Sequence, residues 1–374
     1  MGQLKFLLMY LLVLPHFAGL LIGGWGLFLG PLAMVLLLCL GEALAGEDHE
    51  VPEPGAAWRW NAMLYLALPL VAMIALLALW LMAPGDLLGI GATVQGLTGW
   101  DAVSGKADNT LLGLVAAMLG SGLLIAALGT IVGHELIHRP WGSLGHSIGR
   151  WLLAFSWDSN FAIEHVYGHH RFLGSPQDPA TAPRGRSVYS HIWRSTLGGY
   201  QSAWRIEAKR LATRRQAVLS WHNRFLRGAL LSLLLSTAAL WLAGWGGFIT
   251  FTLVALIAKA YLEIVNYMEH YGLVRDPRTQ VQPHHSWNSN NAFSSWATFN
   301  LTRHSHHHAT GALPFWRLQP MPDTPMMPAG YMTTLLLTLV PPLWYRIMAP
   351  RLDHWDQHFA SEHERQLLTQ GINS

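Results

Sequence analysis

Apolar residues in this chain come in long blocks rather than at the period of a single amphipathic element. Leu4–Ile22 is one block, interrupted by Pro15 and His16, and others lie at 26–45, 61–83, 110–133, 225–243 and 247–265. Each approaches the ~20 residues that a helix needs to cross the hydrocarbon core of a bilayer. The pattern predicts an all-α integral membrane protein with six transmembrane helices. A seventh block, 331–349, contains Pro341 and Pro342 and reads as interfacial or re-entrant. Leu4–Ile22 has the length of a cleaved signal. Gly23, Gly24, Trp25 and a second block follow at once, without a small-residue cleavage site, so it reads as a retained span.

The polar stretches sort by charge. With six spans both ends lie on one side. The loop 84–109 on the other side has one basic residue, Lys106. The stretch 139–224 carries Arg139, Arg150, Arg171, Arg184, Arg186, Arg194, Arg205, Lys209, Arg210, Arg214, Arg215 and Arg224. Lys- and Arg-rich loops stay cytoplasmic. The expected division is therefore helices 1–4 in 1–138, a cytoplasmic histidine- and arginine-rich region in 139–224, helices 5–6 in 225–270, and a cytoplasmic histidine-box and C-terminal region in 271–374.

Composition agrees. Of 374 residues 51% are hydrophobic and 12% charged, about half the charged share of a soluble protein. A net charge of +3 does not suggest a nucleic-acid partner. The one cysteine, Cys39, excludes a disulfide framework and a cysteine-ligated metal centre within this sequence. Among 18 tryptophans, Trp25, Trp58, Trp60 and Trp80 read as interface anchors.

The 20 histidines carry the chemistry. His134 and His138 end the fourth block, His165, His169 and His170 follow about 25 residues on, His270 ends the sixth, and His304, His307 and His308 lie in the last polar segment. His134/His138, His165/His169 and His304/His308 are four apart, which on a helix places both rings on one face. Nine imidazoles from four segments can hold two metal ions with four or five ligands each. A zinc peptidase would use HELIH with Glu135 as base, but that needs three ligands and leaves six histidines idle. Imidazole suits iron, copper and zinc. Oxygen chemistry on a hydrophobic substrate beside lipid favours iron. Among the remaining histidines, His16, His49, His146, His191, His222, His354, His358 and His363 read as solvated polar tips. Glu263 lies four residues after Lys259, so the two are expected to pair.

HELIHR, EHVYGHH, NYMEHYGLVR, PHHSWNSN and LTRHSHHHA resemble the signature segments of the integral-membrane alkane 1-monooxygenases and, less closely, of the xylene and cymene monooxygenase hydroxylases. The resemblance runs from about residue 28 to about residue 350. It implies a six-helix, fatty-acid-desaturase/hydroxylase-like enzyme of the bacterial inner membrane. Its cytoplasmic di-iron centre would use O2 and two electrons to hydroxylate a terminal carbon. By motif the ligands of two non-haem iron ions are His134, His138, His165, His169, His170, His270, His304, His307 and His308. The family's last box has aspartate where this chain has His306, which is not taken as a ligand. The segment ATGALPFWRLQP and the ending HWDQHFASEHERQLL lean toward the alkylaromatic branch, so alkyl-group hydroxylation of alkylaromatics stands as the alternative. A fatty-acyl desaturase or hydroxylase stands behind it.

Glu135, Glu164, Glu269 and Asp178 are placed to orient ligand rings by accepting the second ring N–H. His284 and His285 are further candidates for that work or for docking a donor. No flavin or dinucleotide fingerprint is present, so electrons must come from a separate protein. The resemblance implies a rubredoxin or a ferredoxin-reductase-type donor, typically acidic and steered by the arginine-rich face. The resemblance also implies that a residue on the second span limits substrate length. Counting back from Gly46, Glu47 and Asp48, that residue is Met34. The substrate, a hydrophobic small molecule, would enter from the lipid bilayer.

Overall fold

In a computed structural model the structure describes residues 2–53 and 55–370. The described residues form an all-helical protein with no strand beyond two isolated bridges. Five helices are long and apolar enough to cross a membrane: α1 (Leu4–Ile22), α2 (Gly24–Leu44), α3 (Ala57–Met82), α4 (Leu111–Ile137) and α8 (Arg224–His270). Leu11 and Leu14 on α1 and Leu32, Leu36 and Leu40 on α2 point outward, more than half exposed. Such surface is stable only against lipid or a partner.

Of the six apolar blocks expected as spans, four fall one to a helix and the other two both lie on α8. Its 47 residues would run about 70 Å if straight. The helix is instead broken at Ala243 (φ −134°, ψ 17°) and Gly244 (φ 63°, ψ −159°), where only glycine takes the positive φ without strain. Asn223 starts it by accepting from the backbone N–H groups of Phe225 and Leu226.

Between α4 and α8 lie α5 (Leu144–Ala154), α6 (161–172) and α7 (Val188–Thr213). α5 turns back and packs on α4 and α3. Gly133 and Gly149 face each other there, and a Cβ on Gly149 would lie 2.9 Å from Leu136 Cβ and 3.1 Å from Gly133 O. Small residues allow the close approach. After α8 come α9 (His304–Ala309), α10 (Tyr331–Thr338), α11 (Pro341–His358) and α12 (Glu362–Thr369). The 331–349 block is thus two helices, with Pro341 at the first turn of the second, where its missing N–H costs nothing.

Several polar side chains expected in solvent are buried instead. His16 is 1% exposed and its Nε2 lies 2.9 Å from Ser121 Oγ on α4. His146 and His191 are buried as well. Trp25 and Trp58 are exposed as interface anchors would be, but Trp60 and Trp80 are fully enclosed. Trp60 stacks on Trp316 with ring centroids 5.6 Å apart, so it belongs to the core. Lys259 Nζ meets Glu263 Oε1 at 2.6 Å and also Asp158 Oδ2 at 2.6 Å. The second partner comes from the turn between α5 and α6. That two-sided pairing offsets the cost of an intramembrane cation.

Candidate metal centre

The nine histidines of the boxes converge at the ends of α4 and α8, on α6 and on α9. Their inner nitrogen is Nε2 throughout. His165 and His170 face each other at 3.0 Å between Nε2 atoms, His270 and His304 at 3.1 Å, and His304 and His308 at 2.9 Å. The Nε2 atoms of His134, His138, His169 and His307 are buried without any partner. Buried ring nitrogens left unpaired, or aimed at one another, are costly unless a cation fills the space between them.

Three groups of ligand atoms are resolved around the nine rings, two of them sharing His270. His134, His138, His165, His170 and His307 offer nitrogens that all lie within 4.8 Å of one another. His169, His270 and His308 form a second group, and His270 and His304 form another with Glu269. His165 and His169, four apart in sequence, therefore serve different groups. The physical cause is local: His165–His169 is a π-turn, wider than an α-turn, which brings His165 back onto His170 and leaves His169 to face α8.

Burial first, and neighbouring imidazoles second, hold His165, His170, His304, His307 and His308 well below the ordinary histidine range. His138 is pulled to about 4 by burial and by Arg139. All six are neutral at physiological pH, the form that ligates. For His169 burial acts downward, but the Asp178 carboxylate outweighs it and raises the ring. Asp178 Oδ2 lies 2.9 Å from His169 Nδ1 and also accepts from Thr181 Oγ1 at 2.6 Å.

The other carboxylates do not all stand where ring orientation would put them. Glu135 turns away from the rings to Arg139 Nη2 at 3.1 Å, since i,i+4 pairing is the nearer option on α4. Glu269 lies on the Nε2 side, with Oε2 3.4 Å from His304 Nε2, and so sits within a ligand group rather than behind one. Burial lifts Glu164 to about 8, with Asp178 adding to it, and its Oε1 has no partner. His284 and His285 lie apart from the nine. His285 Nδ1 accepts the Gln282 N–H at 2.8 Å and its Nε2 lies 2.6 Å from Glu364 Oε1 on α12. The tautomer is thereby set, with the proton on Nε2. His306 also points away, its Nδ1 accepting the Gln319 N–H at 2.9 Å.

An apolar cavity opens onto the rings. Its walls include Met9 of α1, Met34 and Leu38 of α2, Leu123 and Ala127 of α4 and Leu335 of α10, and it reaches His134, His165 and His304. Met34, Leu38 and Glu42 fall on one face of α2, spread over about 12 Å of helix.

The family model described as "Fatty acid desaturase" matches residues 109–338. Alkane 1-monooxygenase 1 of Pseudomonas aeruginosa is 40% identical over 246 residues, 64% of each chain. The alkane 1-monooxygenase of Ectopseudomonas oleovorans is 32% identical over 354 residues, 89% of this chain and 80% of that one. The chain belongs to the alkane 1-monooxygenases. A xylene/toluene monooxygenase hydroxylase component of Pseudomonas putida is 36% identical over 239 residues, 63% of this chain and 64% of that relative.

Two residues of this alkane 1-monooxygenase site escape sequence reasoning. Tyr331, on α10, donates its hydroxyl to Glu269 Oε1 at 2.8 Å and lines the cavity. Glu42 is a buried carboxylate on α2. Its Oε1 accepts from Ser294 Oγ and Met332 N, each at 2.7 Å, and its Oε2 from Thr333 N at 2.9 Å. It thus caps the first turn of α10. A carboxylate inside an apolar block was the signal available for Glu42; nothing local marks Tyr331.

Proposed function

We propose that this chain hydroxylates the terminal carbon of linear alkanes, R–CH3 + O2 + 2 e− + 2 H+ → R–CH2OH + H2O. In this reading both arms of α8 cross the bilayer, making six spans, and the boxes face the cytoplasm of a bacterial inner membrane. The observation that carries the proposal is the apolar cavity, which runs past Met34 and Leu38 and ends on His134, His165 and His304. A chain without polar handles can be held there only by shape, with one end at the rings.

One non-haem iron would be held by His134, His138, His165, His170 and His307, and a second by His169, His270, His304 and His308 with Glu269 beside them. Such a pair would supply O2 activation for insertion into an unactivated C–H bond. The protein does the rest. Burial keeps the ligand rings neutral, Asp178 fixes the tautomer of His169, and Tyr331 holds Glu269 against His304. Met9, Met34, Leu38 and Leu335 keep water from the alkyl chain and align it. Electrons come from a separate rubredoxin or ferredoxin-reductase-type protein, an acidic partner attracted by the arginines of 139–224.

Similarity to the xylene/toluene component favours alkyl groups on aromatic rings as the second reading. Membranes containing the protein, supplied with donor, would be given octane, p-xylene and a fatty acid, and the products separated by gas chromatography. 1-Octanol as the main product supports the proposal, 4-methylbenzyl alcohol supports the second reading, and an unsaturated acid refutes both.

A further inference from the structure

Away from the metal centre, where the start of α8 meets α5, two arginines lie over one tryptophan and a third stands near them. The Arg224 guanidinium lies 4.0 Å over the Trp141 ring and that of Arg150 5.3 Å over it. The His146 ring stands 4.1 Å from Trp141's. Arg227, one turn along α8, completes the group, and its charge and that of Arg224 bear on Arg150.

The group lacks anions. Glu207 is the near carboxylate, but it accepts from Arg210 Nε at 2.7 Å, Arg210 Nη2 at 2.6 Å and the backbone N–H of Arg224 at 2.6 Å. Among the described residues, none of the guanidinium groups of Arg150, Arg224 and Arg227 comes within 4 Å of a carboxylate oxygen. Arg150 is only 9% exposed, and its Nη2 donates to the Arg224 carbonyl at 2.8 Å, a neutral acceptor that leaves the charge unmatched. Its Nε, the Nε of Arg227 and the Nε2 of His146 are buried and bonded to nothing. Burial, then Arg227 and Arg224, pull the Arg150 guanidinium down to about 10.

Cationic residues at a cytoplasmic membrane face are ordinarily solvated. A solvated arginine, however, is neither 91% buried nor left with an unbonded Nε. The place of the cluster says where an anion would come from. Leu219 and Trp221, just before α8, are 81% and 71% exposed. Tyr189, Trp193 and Leu197, four residues apart along α7, are also exposed. This apolar line belongs at the boundary between headgroups and acyl chains, which sets the arginines at headgroup level. Basic pockets between helices at that level bind phosphate headgroups, and guanidinium forks match phosphate oxygens.

We propose that Trp141, Arg150, Arg224 and Arg227 form a seat for the phosphate of an anionic phospholipid, which ties α5 to the start of α8. The chemistry recognised is a phosphodiester anion, and the seat's position at the bilayer selects the lipid over free phosphate.

The test uses the full-length, iron-loaded protein in nanodiscs of phosphatidylcholine alone or with phosphatidylglycerol. The thermal midpoint is followed for the unaltered chain, for Arg150→Gln with Arg227→Gln, and for Arg205→Gln, which removes an exposed charge of α7. Phosphatidylglycerol is expected to raise the midpoint of the unaltered chain and of Arg205→Gln and to leave the double variant unmoved. If the double variant does not fold, half-buried Arg227→Gln alone should show a smaller rise than the unaltered chain. An equal rise in every protein would mean that general surface charge is responsible and would overturn the seat. Inorganic phosphate reproducing the rise in phosphatidylcholine discs would overturn the assignment to lipid.

Discussion

Tyr331 and Glu269 are joined by a 2.8 Å hydrogen bond across two helices that are 62 residues apart in sequence. Through it α10 reaches the end of α8, where the other oxygen of Glu269 faces His304 Nε2 at 3.4 Å. The first turn of α10 is in turn pinned to α2 by Glu42. The helix that carries Met34 and the metal centre are therefore linked through a single turn.

Removing that bond should loosen the ligand side without emptying it. For Tyr331→Phe we expect kcat to fall by about ten- to a hundredfold, with iron content unchanged. Mössbauer spectra should show one altered iron environment and one unaltered. Identical spectra and turnover would show that Tyr331 serves packing alone.

Asp178 holds His169 through a charge-assisted contact, and Asn keeps the shape while losing the charge. Asp178→Asn is expected to weaken iron retention by about 10- to 100-fold. Iron remaining per chain during titration with a chelator measures this. The unaltered protein should start close to two irons, and zinc should not restore hydroxylation after stripping.

Met34 is buried and faces the cavity. Met34→Trp should shorten the longest accepted linear substrate by several carbons and leave iron content unchanged, as read from hydroxylation across an alkane series. An identical length profile in the two forms would remove Met34 from the channel.

The clasp of α12 should open in acid. Burial alone would raise Glu364, but the His284 ring 3.6 Å away and the hydrogen bond from His285 Nε2 outweigh it and hold the carboxyl far below its usual range. Burial keeps His285 below its ordinary value despite Glu364. A depressed carboxyl stabilises the fold above its unfolded value of 4.5. A depressed histidine costs stability once pH falls below its unfolded 6.5. Both act in one direction, so α12 should lose protection from hydrogen exchange as pH falls below about 6.5 and again below about 4.5. Glu364→Gln should open it already at neutral pH.

Much of this protein was legible in its sequence because the information is local. Apolar length marks a membrane helix wherever it occurs, so the blocks from Leu4–Ile22 to 247–265 reappear as helices, and Glu263 finds Lys259 one turn away. The histidine boxes declared themselves by spacing and residue type. What lay beyond local reach depended on which segments meet. Asp158 joins Lys259 from 101 residues away, Tyr331 reaches Glu269, and His16 is buried against Ser121 because α1 packs on α4. The split of His165 and His169 between two groups needs a π-turn, which hydrophobic period does not encode. Residue type and period determine what a segment is, whereas the direction in which a ring nitrogen points is decided by the packing of segments distant in the chain.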